Sequence, residues 1–400
     1  MMCRRRRNRL RWISKFCPLA SVALFVVAQH AAPLRARITD VNTAANAQTP
    51  DLEKPLLNID DDISSFAFAQ DGRIVFSVRR QFHTKQYELE RDDIWLQESN
   101  GKRRRLLQGE KFLRGGDKPF SYTIDGFRWS PNGRQLLAQL FTTTVVDEHG
   151  TTQDSSMLLG LEDNGKEIRL GNVDNLIKDA ANPIWLNDGA TVVYLTEILK
   201  PKILYSFKYM NLAAGPSGNV FEGRTFLDSS AIPNSNVAIA VERDRNLTGP
   251  PRLQRLDLLA QDDHELATLD GYTGGICVSP AGQKVAYFID REVLEVRDIS
   301  DPNKVARIRM GLGVPQWGPG GNRILLKRAV EKKSGDLVWI DVPPLRAVAA
   351  DKDPPVTQPT PVPILHDLAF RDFAISPDGR QLAVIAPGKR NLLLFPLPQR

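Results

Sequence analysis

Beyond His30 the chain holds four histidines, His83, His149, His264 and His366, and grouped histidines could hold a metal or move a proton. These four fall in or beside segments that read as loops and lie far apart in sequence, so they are read as solvated. His264-Glu265 is an isolated pair and not a His-Glu-x-x-His zinc helix. The carboxylates Asp62, Asp125, Asp179 and Asp228 each precede an inner strand, and some of them could build a calcium or substrate site. Their offsets from the turns that follow are 10, 8, 10 and 7 residues, so the four are not in register. Cys277 sits in Ile276-Cys277-Val278 and reads as a small buried side chain, not as a nucleophile. Gly215-Pro216-Ser217-Gly218 matches a nucleophile elbow in composition only, and the chain has neither a complete Gly-x-x-x-x-Gly-Lys-Ser/Thr phosphate loop nor Cys-x-x-Cys. The sequence therefore assigns no catalytic residue, no cofactor-binding residue and no metal ligand, and it implies no cofactor.

What it does assign is a scaffold. One phrase recurs: FRWSPNGRQLLAQL from Phe127, ICVSPAGQKVAYF from Ile276, PQWGPGGNRILL from Pro315 and FAISPDGRQLAVI from Phe373. Looser copies start at Phe66 and Pro183, and a degenerate one centres on Ser235. Each copy is an apolar strand, a tight turn and a second apolar strand. Proline fits the turn position with φ near −65°, and glycine fits the position where φ must be positive. The turn glycines are Gly72, Gly133, Gly189, Gly282, Gly321 and Gly379. A second hairpin follows in most units, marked by Asn100-Gly101, Asp163-Asn164-Gly165 and Asp301-Pro302-Asn303. Each unit thus predicts four antiparallel strands, one blade of an all-β propeller. Seven blades are expected, with six as the alternative because the unit around Ser235 is degenerate.

The last unit offers only three strands, Asp372 to Ile375, Leu382 to Ile385 and Leu392 to Leu397. A spare apolar strand, Leu56 to Ile59, precedes the first unit and is expected to complete the last blade and close the ring, which removes exposed sheet edges. Inner-strand positions four before the turn glycine, namely Phe68, Trp129, Trp185, Val278, Trp317 and Ile375, read as packing between blades. The preceding positions, Ala67, Arg128, Ile184, Cys277, Gln316 and Ala374, do not make a ring of metal ligands. Trp95 and Trp339 read as core residues of third strands. Arg80 to Asp92, Thr142 to Ser156 and the proline-rich Pro343 to Pro363 read as loop insertions.

The chain carries 53 Lys and Arg against 47 Asp and Glu. Seven of those basic residues and none of the acids lie in residues 1 to 28, so the remainder is close to neutral. That argues against nucleic-acid binding, which needs clustered positive charge on the folded domain. Arg103-Arg104-Arg105 reads as a solvated strand edge. Residues 1 to 28 read as a signal peptide, with a charged start and an apolar stretch from Phe16 to Ala28 that is short for a bilayer span. Cleavage after Ala28 is expected, with Ala47 as a later option; an uncleaved anchor is the alternative. Residues 29 to 50 read as a flexible linker and 51 to 400 as a single propeller domain, expected to be monomeric and without a transmembrane span once mature.

The repeats resemble the TolB-like propeller repeat, a WD40-like repeat with a Pro-Asp signature: an aromatic, Ser-Pro-Asp-Gly, a basic residue, then an apolar strand. Phe373 to Ile385 matches nearly throughout, and Phe127 to Leu140 closely. The resemblance covers roughly residues 60 to 400. It implies a bacterial, exported, periplasmic or secreted protein that serves as an interaction platform at the cell envelope, with a protein or peptide partner and no catalysis of its own. A propeller enzyme, hydrolase or lyase, working at the channel mouth is the alternative; a carbohydrate- or polymer-binding module is a third. With residues 51 to 400 read as propeller, neither the separate N-terminal α/β domain of TolB nor the hydrolase domain of propeller peptidases is expected.

Overall fold

A computed structural model describes residues 55–83, 87–112, 120–147, 150–168, 170, 176–178, 180–199, 204–212, 217–311, 313–330, 334–348, 354–365, 372–386 and 390–397. The expected leader and linker lie outside the described residues, as do Asp179, His149 and His366.

The regular structure of the described residues is almost entirely antiparallel strand. In the first unit Ile63–Phe68, Ile74–His83, Glu88–Gln97 and Arg103–Leu107 pair in order. The second runs Phe120–Trp129, Gln135–Val145 and Thr152–Glu162, and its outer edge is shared by the short strands Glu167–Ile168 and Leu176–Lys178. Then follow Ala180–Trp185, Thr191–Leu199, Leu204–Asn211 and Ser217–Val220, and Phe226–Ala231, Val237–Glu242, Arg252–Asp257 and Asp262–Thr268. The next two are Gly274–Val278, Lys284–Phe288, Val293–Asp298 and Lys304–Arg309, and Pro315–Trp317, Arg323–Val330, Ser334–Asp341 and Val362–Leu365. Single bridges, Arg91 with Tyr122 and Tyr205 with Phe226, join neighbouring units.

The last unit closes the ring as expected. Phe373–Ile375, Gln381–Ile385 and Leu392–Pro396 pair in order, and Leu57–Ile59 adds the fourth strand with Ile59 opposite Leu392. One apolar cluster holds Ile59, Ile63, Phe66 and Phe76 together with Ala383, Ile385, Leu392 and Leu394, so the last sheet packs on the first. Burial of apolar area at such faces drives the assembly.

The repeat phrase has a local physical cause. In the Gly133 turn, Ser130 Oγ accepts the amide of Gln135 at 2.9 Å and donates to Asn132 Oδ1 at 2.8 Å, while Asn132 Oδ1 accepts the amide of Arg134. The Gly379 turn repeats this with Ser376, Asp378, Gln381 and Arg380. The bond from Ser376 leads the interactions that hold the Asp378 carboxyl below its usual range. Where the repeat degenerates, Asn234 takes the left-handed conformation (φ 55°) and Ser235 Oγ donates to the Ile232 carbonyl at 2.9 Å.

Successive turns touch around the ring. Arg73 Nη2 donates to the Gly133 carbonyl, Asn187 Nδ2 to the Asn234 carbonyl and Lys284 Nζ to the Gly321 carbonyl, at 2.7, 2.9 and 3.0 Å. Gly379 lies against Pro319 so closely that a Cβ would stand 2.3 Å from its ring. The Gly133 and Gly379 hairpins thus occupy equivalent places.

Two expected loops are corrected. Arg80 to Asp92 and Thr142 to Ser156 are largely extensions of the second and third strands of their units, paired as far as His83 with Glu88 and Val145 with Thr152. Their outward side chains are polar, which masked the strand pattern. Part of Pro343 to Pro363 also docks: Arg346–Ala347 and Val356–Thr357 both pair with Lys304–Arg309.

Candidate functional site

Inner strands from successive units surround a central channel, and a cavity of about 660 Å³ opens within it. Its lining includes Arg128, Trp129, Asn182, Trp185, Asp228 and Thr273. Five of the inner strands are bulged, between Ile63 and Phe66, Ile124 and Gly126, Ala181 and Ile184, Phe226 and Asp228, and Gly274 and Cys277. A bulge leaves a residue out of the ladder and re-aims its neighbours. Asn182 is one product, held at φ 47° with its amide donating to Gln139 Oε1 at 3.4 Å.

Below the bulges the strands run in register. Trp185 and Trp317 each stand four residues before a turn glycine. The Trp185 indole N–H donates to the Arg128 carbonyl at 3.2 Å, and that of Trp317 to the Cys277 carbonyl at 3.0 Å. Arg128 and Cys277 each stand five before the turn glycine of the preceding unit. Trp129, the equivalent residue one unit earlier, instead carries the Arg73 guanidinium 5.2 Å from its ring centroid. The positions expected to pack between blades do so. Trp95 and Trp339 pack against core clusters, also as expected.

The ring of residues five before the turn is Ala67, Arg128, Ile184, Ser230, Cys277, Gln316 and Ala374, with one charge among them. Arg128 lies deep in the molecule yet is exposed, because the water it meets is that of the channel. Its Nη1 donates to the Phe127 carbonyl at 2.9 Å, and among the described residues no carboxylate forms an ion pair with it. Burial lowers its pKa, opposed by attraction to Asp372. Cys277 is half-buried, and burial pushes its thiol up to about 12, which favours the neutral form over the nucleophilic thiolate.

Of the four sequence-derived carboxylates, Asp228 lines the cavity. It accepts the Tyr272 hydroxyl at 2.7 Å and the Ser229 amide at 2.8 Å. Burial pushes it up to about 6 against those two bonds. Burial, then the Asp228 charge, raises Tyr272 well above its usual value. Asp62 instead pairs with Arg390 at 3.2 Å, and Asp125 is exposed. His83 is exposed beside Glu88 at 3.7 Å, and His264 is exposed on an outer strand, not in a turn. Among the described residues no three His, Cys, Asp or Glu side chains gather as metal ligands would.

Sequence reasoning missed Asp372. It precedes Gly379 by seven residues, as Asp228 precedes Ser235, so the two carboxylates share an offset. Its charge acts on both Arg128 and Lys327, whose ammonium burial pulls down. Measuring offsets back from every turn, including the degenerate one, would have found it.

No protein-family model matches this chain, and no curated protein sequence matches it. Among solved structures it is similar to a chain from a structural and mechanistic analysis of two prolyl endopeptidases, with a TM-score of 0.53 and 13% identity over 88% of this chain and 53% of that one. It therefore spans about half the length of that protein. It is also similar to the C-terminal WD40 domain of Sif2 (TM-score 0.49, 11% identity, 86% and 98% covered) and to TolB from Acinetobacter baumannii (TM-score 0.38, 12% identity, 70% and 80% covered). Strand pairing and repeat together define a β-propeller. Fold alone names no activity.

Proposed function

We propose that this chain is an exported, non-catalytic propeller of seven blades that acts as a protein or peptide interaction scaffold in the bacterial cell envelope, in the periplasm or secreted. The observation that carries the reading is the channel cavity, whose wall mixes indole rings, amides, one open guanidinium and one carboxylate. Such a lining suits a peptide, with apolar surface for side chains and polar groups for its backbone. The grouping of strands into successive four-stranded units supports the blade count. The charged and apolar composition of residues 1 to 28 supports export. Among the described residues no helix is long and apolar enough to cross a membrane.

The test is cross-linking of the tagged protein in intact cells, followed by capture from envelope fractions. One partner, displaced by excess untagged propeller, is expected. Repeated recovery of none would overturn the reading. An enzyme at the channel mouth is the second reading, favoured by the raised carboxyl of Asp228 beside Tyr272, a poise suited to a general acid. A turnover found in a hydrolase or lyase screen and abolished by Asp228→Asn would replace the scaffold with it.

A further inference from the structure

Arg128 is the sole charge in its ring, and it is held by its backbone. Trp185 fixes its carbonyl from the next unit, and Phe127 takes one Nη1 hydrogen. The rest of the guanidinium faces the cavity among the described residues. A guanidinium offers parallel N–H groups that match a carboxylate.

The surrounding charges limit what can bind. Asp228 faces the same cavity, and Asp372 draws on Arg128 from the closing unit. Lys327 is the other cation near Asp372. A phosphate or polyanion would meet Asp228 on the wall, with Asp372 also in electrostatic reach of Arg128, and too few cations to offset them. A singly charged carboxylate needs one guanidinium. The cavity, at about 660 Å³, is also far larger than a lone carboxylate and has room for several residues. Asn182, Ser230 and Thr273 can bond a peptide backbone, while Trp129 and Trp185 can cover apolar side chains.

We propose that the channel is a carboxylate-binding site built on Arg128, and that the group it takes is the free C-terminal end of a peptide. This deepens, and rests on, the scaffold reading.

The experiment uses the full chain and three probes: N-acetyl-trialanine as free acid, the same peptide as C-terminal amide, and acetate at matched ionic strength. Tryptophan fluorescence and calorimetry report binding, since Trp129 and Trp185 line the cavity. The free acid is expected to bind at least ~10-fold tighter than the amide, as loss of a charge-assisted pair implies. Arg128→Gln should bring the acid down to the level of the amide, and Arg128→Lys should keep part of the difference. Unchanged circular dichroism and thermal midpoint would show that both variants fold. Acetate binding as tightly as the peptide acid would support the carboxylate site and assign it to small free acids. Equal binding of acid and amide, indifference to Arg128→Gln, or no binding of the acid at ~10 mM, well above the millimolar range of weak specific sites, would overturn it. Failure here with partner capture intact rejects the channel site alone; a wild-type protein that captures nothing rejects the scaffold reading.

Discussion

The indole N–H of Trp185 donates to the backbone carbonyl of Arg128 at 3.2 Å, across the seam between two units. Trp317 does the same to Cys277 at 3.0 Å. One side chain thus locks the register of neighbouring blades and fixes the backbone that presents the channel cation. Trp185→Phe and Trp317→Phe keep most of the buried surface and remove the donor. Each is expected to lower stability by about 1 to 2 kcal/mol in urea unfolding, as loss of a buried hydrogen bond with an orphaned carbonyl implies. Midpoints equal to that of the wild type would show that the bond carries no register.

The turn glycines separate strain from crowding. Gly72 has φ 83° and open space within 4 Å of where a Cβ would stand, whereas Gly379 has φ 71° with the Pro319 ring 2.3 Å from that position. Gly72→Ala should cost about 1 kcal/mol, the left-handed penalty alone. Gly379→Ala should cost at least ~2 kcal/mol more, because a packed proline must move. Thermal denaturation of the two variants side by side checks the difference; equal losses would mean that the turns do not pack on one another.

Asp92 is fully buried. Its Oδ2 accepts the Ile124 amide at 2.8 Å, and Arg79 stands 4.0 Å away. Burial, outweighing those partners, pushes its carboxyl from 3.8 up to about 6. The folded state therefore holds this proton more tightly than the unfolded chain. Between about pH 4 and 6 its contribution to stability falls as pH rises, and the penalty is complete above 6. Asp92→Asn is neutral throughout, so its stability relative to wild type should rise by roughly 2 to 3 kcal/mol from pH 4 to pH 7. Parallel stability curves for the two proteins would contradict this.

The hairpins were legible in the sequence because their cause is local. Ser130 and Ser376 bond within their own turns, and the positive φ of the turn favours glycine there. The closing strand was legible because three strands in the last unit left a place for Leu57 to Ile59. The hairpin extensions were not. From Thr142 to Ser156 the chain is polar on both faces, so neither strand showed alternation, although Thr142 Oγ1 bonds Ser155 across the ladder at 3.0 Å. The docking of Val356 on Arg307 is a contact between distant segments and leaves no local trace. Asp228 was seen but not its counterpart Asp372, because the unit around Ser235 lacks the glycine from which an offset would be counted. Arg128 was read as one member of a ring without ligands; its charge was legible there, but its exposure to the channel cavity was not.

Closure can be probed from either side of the seam. Ile59 is 2% exposed within the shared cluster, while Leu56, three residues earlier, is 61% exposed. Ile59→Ala should cost about 2 to 4 kcal/mol, and Leu56→Ala less than ~0.5 kcal/mol.

The most direct measurement is amide hydrogen exchange, read by mass spectrometry, across Leu57–Ile59 and Leu392–Pro396 together. A ring fastened by its own opening segment requires the two strands to be protected alike, within about tenfold, and to lose protection together in Ile59→Ala. Exchange of Leu57–Ile59 at the rate of a free peptide, while Gln381–Ile385 and Leu392–Pro396 stay protected, would contradict the closed propeller.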